Sequence, residues 1–564
     1  MNKFCDIVYT RCDIAELGKK YAAENQRFID AKTYEEAKES FERMHELSRE
    51  AETAYSIASV RNTMDTSDKF YEDEVLYYGA AFAALTPVFK AAAEALLKTP
   101  FRADFEKEFG KQLFTLTEAD FKLQTPKNEQ LTVRANELSN EYSKLVASCS
   151  VEFKGEQCNF YGLLKHMQSL DREVRRDAFI EWAKLYEGVS EKLDEIYTEL
   201  VNIRVEMAKN AGFDDFFTYI YLARGHFDWT RDDAARFKAQ VKEIITPAVD
   251  KLMREKGKRI GVDKVRYYDE DLIYADGNPT PKGTPDELIA AASKMYHELS
   301  EETGEFFDFM TEHELFDLLT RPSKHMGGYC TSFPIYKAPF IFSNFNGTSA
   351  DIDVLTHEAG HAFEYFLASR TQPVDEYTFG PSEINEIHSM SMELFAYPWM
   401  DLFCKDEADK YRGAHLTDCL ACIPYLVCVD EFQHRVFENP TMDADARRRV
   451  WRELELEYMP WRDYEGSEYM QSGGFWMQKQ HIFLYPFYYL EYALSQVCAF
   501  QFYNKIKVDR TGAWNDYLNL CRAGGSLGYL DLLKLANLRS PFEDGCLEET
   551  IKPIVDDLDK LFNK

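Results

Sequence analysis

One pattern runs through almost the whole chain: long charged stretches whose apolar residues return every third or fourth position. From Asp13 to about Lys154, Ala, Glu, Lys and Leu dominate, and Gly and Pro are scarce apart from the Thr86-Pro87 and Thr99-Pro100 steps. Asp30–Arg49 and Tyr78–Leu97 read as amphipathic helices of a bundle or antiparallel stack. The pattern continues through Asp171–Asn210 and Asp232–Lys256, and the loop Asp276–Pro285 ends in a helix start at Asp286. Between Gly327 and Gly347 the period changes. There Tyr329–Pro334 and Pro339–Phe345 alternate aromatic and polar side chains between Gly and Pro, which predicts short strands. Helix resumes at about Ser349 and continues to the C-terminus. Such a chain folds as a mostly α protein with a small β-sheet. With 564 residues, 45% of them hydrophobic, it has enough apolar surface for two to four structural units. A short polar stretch bracketed by Gly155 and Gly162 marks the candidate boundary, giving an N-terminal helical unit at 1–160 and a second unit at 161–564.

Charge narrows the set of partners. Against 97 Asp and Glu stand 66 Lys and Arg, a formal charge of −31. That field repels nucleic acid and anionic membrane surfaces and favours neutral or cationic ligands. The opening residues Met1–Ile7 contain no apolar run leading to a small-residue cleavage site, so no secretory signal is expected. The most apolar stretches, Tyr78–Leu97 and Leu420–Val429, are interrupted by Pro and Lys or too short to span a bilayer. A cytoplasmic protein without a transmembrane helix is the expectation. Twelve cysteines over this length make no disulfide framework. Cys419 and Cys422 form a single CxxC four residues after His415; flanked by Leu420, Ala421 and Ile423, they read as buried reduced thiols.

The helix after the predicted strands carries His357-Glu358-Ala359-Gly360-His361. Helical spacing sets His357 and His361 one turn apart on one face, where both imidazoles reach a single tetrahedral ion. Glu358 lies beside them, placed to take a proton from a metal-bound water. Thr348 and Asp351 predict a capping box, and Ile352, Leu355, Ala359 and Phe363 form an apolar stripe. Gly360 costs a helix about 1 kcal/mol relative to Ala, which makes sense where another backbone or a substrate must come close.

A catalytic site needs a third ligand and an open position for water. Downstream, Pro381–Glu393 starts a second helix with Ser382 as the expected N-cap. Glu386 and Glu393, seven apart, share one face with Glu383 and Met390. Leu394, Phe395, Ala396, Tyr397 and Trp399 show that this helix is packed, so a carboxylate stripe needs partners, and a zinc ion at the two histidines would be one. His388 is the rival third ligand, but its side chain is turned about 160° from that of Glu386.

At these residues the chain resembles the thimet-oligopeptidase/oligoendopeptidase F family of zinc metallopeptidases, and within it the bacterial oligoendopeptidases F. The resemblance rests on Phe340–Thr348 leading into His357–Phe363, on Glu386–Glu393 and on His481–Tyr492. It implies that His357, His361 and Glu386 bind one zinc ion per chain and that Glu358 is the general base. It also implies a helical ellipsoid of two lobes around a deep substrate channel, with 161–564 as the catalytic domain. Glu364 stands where many members have a second-turn histidine that is not a zinc ligand.

His481, Tyr485, Tyr489 and Tyr492 recur at helical spacing and predict one stripe, with Tyr488 beside it. The resemblance implies that Tyr492 and Tyr485 donate hydrogen bonds to substrate or to the developing oxyanion and that His481 positions substrate. Gly466, Ser472, Gly473 and Gly474, interleaved with Tyr469, predict a mobile loop. The expected reaction is hydrolysis of internal bonds in short peptides, zinc-bound water attacking and Glu358 moving the proton. The short strands offer an edge for the peptide. Two alternatives remain open at this point. One is a metallo-carboxypeptidase or dipeptidyl carboxypeptidase, with Arg370, Lys337 or Lys324 taking the terminal carboxylate. The other is a non-catalytic peptide-binding protein with a structural zinc, which would have no need of Glu358.

Overall fold

Polar residues just ahead of apolar runs start most of the helices. In the computed structural model, which describes residues 1–563, Asp13 caps Ile14–Asp30, Thr33 caps Tyr34–Met64 and Asp68 caps Lys69–Leu97. Each cap oxygen accepts a main-chain N–H of the first turn. The three helices pack on one another around Ile14, Leu17, Ala58 and Tyr78. A second cluster, including Phe28, Phe41, Phe105 and Leu113, reaches Val374 and Tyr377 of the following unit. The helix expected at Asp30–Arg49 straddles a break, since one helix ends at Asp30 and the next runs from Tyr34 to Met64, while the one expected at Tyr78–Leu97 is the later part of Lys69–Leu97. Taken from Lys69, the second is long and apolar enough to cross a membrane by length and composition. It nevertheless contains Pro87 and a buried Glu74 held by Tyr9 and Arg11.

The polar stretch at the expected boundary is a small hairpin. Val151–Phe153 (β1) and Glu156–Cys158 (β2) pair antiparallel across Lys154 and Gly155, both at positive φ. Strands of three residues are too short for alternation to register in the sequence.

Three further strands carry the site. Phe316–Leu319 (β3), Tyr329–Phe333 (β4) and Ala338–Phe345 (β5) form a sheet in the order β3-β5-β4. β3 runs parallel to β5 and β4 antiparallel to it, with Tyr329 opposite Phe342 and Thr331 opposite Phe340. The predicted pair is β4 and β5; β3 escaped notice because Phe-Asp-Leu-Leu follows a helix almost directly. β4 is an edge strand.

The motif helix, Ala350–Thr371, leaves β5 through a tight turn and packs back on it. The predicted capping box does not form there. Asp351 instead accepts the N–H groups of Asn346 and Gly347 at 2.9 and 2.8 Å, bracing the turn. The carboxylate helix, Ser382–Phe395, crosses the motif helix, and Tyr489–Val508 packs against it in turn. Ser382 is the first helical residue rather than the cap. Asn385 closes that entry by exchanging hydrogen bonds with Gly380 at 2.9 and 3.0 Å.

Candidate metal centre

Gly360 decides how near the two helices come. A Cβ there would stand 2.6 Å from Ser389 Cα and 2.7 Å from the His388 carbonyl oxygen, so the crossing admits only glycine. At that approach Glu386 reaches across to both histidines. Its Oε2 lies 3.4 Å from His357 Nε2 and 3.6 Å from His361 Nε2. One ligand atom from each of the three residues falls within 4.8 Å of the others. Donors bound tetrahedrally at about 2.0–2.1 Å are about 3.3 Å apart, and the two sides that meet at Glu386 match that spacing for an ion of zinc's size.

The surrounding groups fix each donor. Glu393 accepts from His357 Nδ1 at 2.6 Å and meets His415 Nε2 with its other oxygen at 2.7 Å; His415 Nδ1 lies 2.6 Å from the Tyr397 hydroxyl. His361 makes its other hydrogen bond to the Asn385 main chain. Both Nε2 atoms therefore turn toward Glu386, the orientation a metal requires. On the far side Tyr488 donates to Glu386 Oε1 at 3.0 Å and Ser389 to Oε2 at 3.1 Å. The Arg224 guanidinium lies over the Tyr488 ring at 4.4 Å and is anchored by the buried Glu491. Burial would raise Glu386 and Glu393, but hydrogen bonds from His357, with the neighbouring histidines, draw both carboxyls down to about 2. Glu358 moves the other way. Burial, helped by Glu386 and Glu393 against His357, pushes it up to about 7. Its Oε1 faces the start of β4, where a Cβ on Gly328 would come within 3.6 Å.

The other expected residues are placed less uniformly. His388 is fully buried, turned from the cluster toward Tyr517, and burial pulls it down to about 3. The predicted helical stripe from His481 to Tyr492 does not exist as one helix. Gln480–Leu484 ends at Tyr485, and Pro486 and Phe487, with φ +63°, break the chain before Tyr489–Val508 begins. The rings still gather: His481 lies 5.7 Å from Tyr485, 6.0 Å from Tyr488 and 4.9 Å from Tyr489. Tyr492 packs on Tyr488 with ring centroids 4.8 Å apart, and burial, reinforced by Glu386, pushes its hydroxyl far above the usual tyrosine range. Tyr485 is the outlier, 53% exposed. Burial lowers His481 to about 4, so its imidazole is neutral.

Several expectations change. Gly473 and Gly474 are buried rather than loose: a Cβ on Gly473 would strike the Arg448 carbonyl oxygen and one on Gly474 the Tyr469 ring. Arg370 is engaged by the carbonyls of Lys337 and Phe366, and Lys324 by three carbonyls and Asp317, so neither is available to a peptide carboxylate. Glu364 is buried, and burial pushes its carboxyl well above the usual carboxylate range. Cys419 is a free, buried thiol beside His415, and Cys422 is free and half-buried. Sequence reasoning missed the parts played by Glu393, His415, Tyr488 and Arg224. Glu393 was visible on the Glu386 face, and Pro486 was a signal for the break.

Known proteins bear on this geometry. Residues 165–551 match the model of peptidase family M3, and residues 4–124 that of the peptidase M3 N-terminal domain. A solved structure of PZ peptidase A with an inhibitor is 43% identical to this chain and superposes with a TM-score of 0.93 over 99% of each chain. Group B oligopeptidase PepB of Streptococcus agalactiae is 22% identical over 536 residues, 85% of this chain and 82% of that protein. An oligoendopeptidase F homolog of Mycoplasma genitalium is 21% identical over 410 residues, 66% of this chain and 63% of its own length.

Proposed function

The chain belongs to peptidase family M3 and is a metallopeptidase, and from that premise we propose that it is a zinc-dependent endopeptidase of short oligopeptides. The observation that carries this reading is the triangle of His357, His361 and Glu386 with Glu358 beside it. Two imidazoles and one carboxylate suit zinc, and a three-residue set leaves the fourth position of a catalytic site open. An ion held there would polarise the scissile carbonyl and acidify a water.

The protein's own groups account for the remaining steps. An extended peptide adds to the free edge of β4, its scissile bond next to Gly328, whose missing side chain leaves room in front of Glu358. Glu358, with a pKa of about 7, takes a proton as water attacks the carbonyl carbon. It returns that proton to the amine nitrogen as the C–N bond breaks, so the water is divided between the two products. Tyr492, beside Tyr488, donates to the carbonyl oxygen as negative charge grows there. His481 and Tyr485 line the approach and orient the peptide. Tyr488 stays on Glu386 and keeps that carboxylate aimed.

A cleft of about 530 Å³ lies between the N-terminal helices and the motif region, its lining including Phe41, Phe89, Ser332 and Tyr365. A walled cleft of this kind supports short peptides over folded chains, and the helices of 1–160 over 161–564 as the two sides of the channel. The test is mass spectrometry of products from a library of free and blocked peptides, with and without chelator. Internal cleavage of blocked peptides, abolished by chelator and restored by zinc, is the expected result. Chelator-resistant cleavage, or rapid digestion of a native globular protein, would refute it.

A further inference from the structure

In so acidic a chain, a lysine without a counter-charge two residues from His481 stands out. Lys479 sits just ahead of Gln480–Leu484, two residues before His481. Its Nζ lies 5.4 Å from the ring centroids of both Tyr425 and Tyr489, and no ion pair or hydrogen bond engages it among the described residues. Three more deeply buried lysines all have oxygen partners. Lys238 meets Asp430 at 3.1 Å, Lys324 meets Asp317 at 3.1 Å, and Lys256 donates to the Glu270 carbonyl. Burial alone acts on Lys479, lowering it to about 8, and no carboxylate pulls it back. A half-buried ammonium engaged only by aromatic faces is under-compensated, and an anion is the group that completes it.

Its position relative to the metal centre is set by a chain of contacts. Tyr489 packs edge-on to His481 at 4.9 Å, His481 lies 6.0 Å from Tyr488, and Tyr488 holds Glu386. Lys479 also bears on the electrostatics of His481 directly. The segment that presents it is firmly seated, since Tyr142 donates to the Met477 carbonyl at 3.0 Å and Gln478 to the Tyr425 hydroxyl at 2.8 Å. Resting on the peptidase reading above, we infer that Lys479 is a specificity-determining residue that binds a carboxylate of the substrate peptide, one residue cluster away from the scissile bond.

Two peptide groups share this chemistry, the C-terminal carboxylate and an Asp or Glu side chain, and the experiment separates them. Three otherwise identical peptides are compared: a free acid, its C-terminal amide, and an amide with one Glu in the portion downstream of the cut. kcat/KM is measured on the wild type, Lys479→Met and Lys479→Arg. Kd for the same peptides is measured in the Glu358→Gln background, where turnover is removed. The wild type is expected to prefer one carboxylate-bearing peptide over the plain amide by about tenfold or more, mainly through KM. Lys479→Met should bring that ratio close to one, and Lys479→Arg should keep most of it. A ratio within a tenfold series rules out trivial loss of fold, because both peptides see the same enzyme. A wild-type ratio near one, or a ratio that survives Lys479→Met, overturns the assignment. Should none of the peptides be cleaved by the wild type, the peptidase reading fails, and the Kd ratios still decide for or against Lys479.

Discussion

Replacing Gly360 by alanine sets two effects of opposite sign against each other. Judged by helix propensity alone, the change stabilises the motif helix by about 1 kcal/mol. Packing says the reverse. The added methyl would sit 2.6 Å from Ser389 Cα, about 0.8 Å inside ordinary contact distance, and 2.7 Å from the His388 oxygen. Both obstacles are main chain, so no rotamer change relieves them and the two helices must part. Overpacking of this kind costs about 1–3 kcal/mol, which leaves the metal-free protein destabilised by roughly 0–2 kcal/mol after the propensity gain. The same displacement carries Glu386 away from the histidines. Separations of 3.4 and 3.6 Å would widen to roughly 4.2–4.4 Å, where a tetrahedral ion needs about 3.3 Å. Metal affinity should fall about ten- to a hundredfold, the range seen when ligand orientation is lost. Thermal unfolding in chelator reads the first effect, and zinc titration against a competing chelator reads the second. If Gly360→Ala melts at or above the wild type and binds zinc equally well, the helix crossing is not limited by glycine and the account of the site's assembly fails.

Other outcomes follow from the same geometry. Glu358→Gln should keep metal and peptide binding while turnover drops by about a hundred- to ten-thousandfold, and substantial residual hydrolysis would point to another base. Tyr492→Phe should lower kcat by about a hundredfold with little change in KM, whereas near-normal kinetics with a lower melting temperature would give its hydroxyl a purely structural task. His45, on Tyr34–Met64, meets Glu376 at 3.0 Å across the cleft wall; burial alone would lower it, but that carboxylate holds it up at about 9. A pKa raised above the unfolded value of about 6.5 gives stability that is complete below that pH and lost as pH rises through about 9. The stability gap between wild type and His45→Gln should therefore shrink between about pH 6 and about pH 10, and a gap that stays constant would contradict the pairing.

How far the sequence could be read depended on whether a feature was local. His357, Glu358 and His361 announce themselves because one helical turn carries all three, and Glu386 follows from the stripe and the family resemblance. Glu393 lay on the same stripe, yet nothing local says that its carboxylate stands behind His357 rather than in front. His415 and Arg224 join the site across 22 and 267 residues of chain, to Glu393 and Glu491 respectively, and such meetings are tertiary. The single stripe expected from His481 to Tyr492 failed on Pro486, whose ring forbids the helix that the spacing suggested. Gly360 shows the opposite case: its cost in a helix predicted a close neighbour, and the neighbour is the main chain at Ser389.

The unpaired side of β4 has a second meaning beyond substrate. An open strand edge pairs with any extended chain that reaches it, a second copy of the same protein included, and crowded solutions turn such edges into aggregates. Here the edge is five residues long and lies against Tyr34–Met64, where Thr63 meets the Tyr329 hydroxyl at 2.6 Å and, in the turn just past the strand, Thr53 accepts the Ile335 N–H at 3.0 Å. On the proposed reading, where an extended peptide adds to this edge, one wall would govern both colloidal stability and selectivity. Shortening the N-terminal helices would loosen both at once.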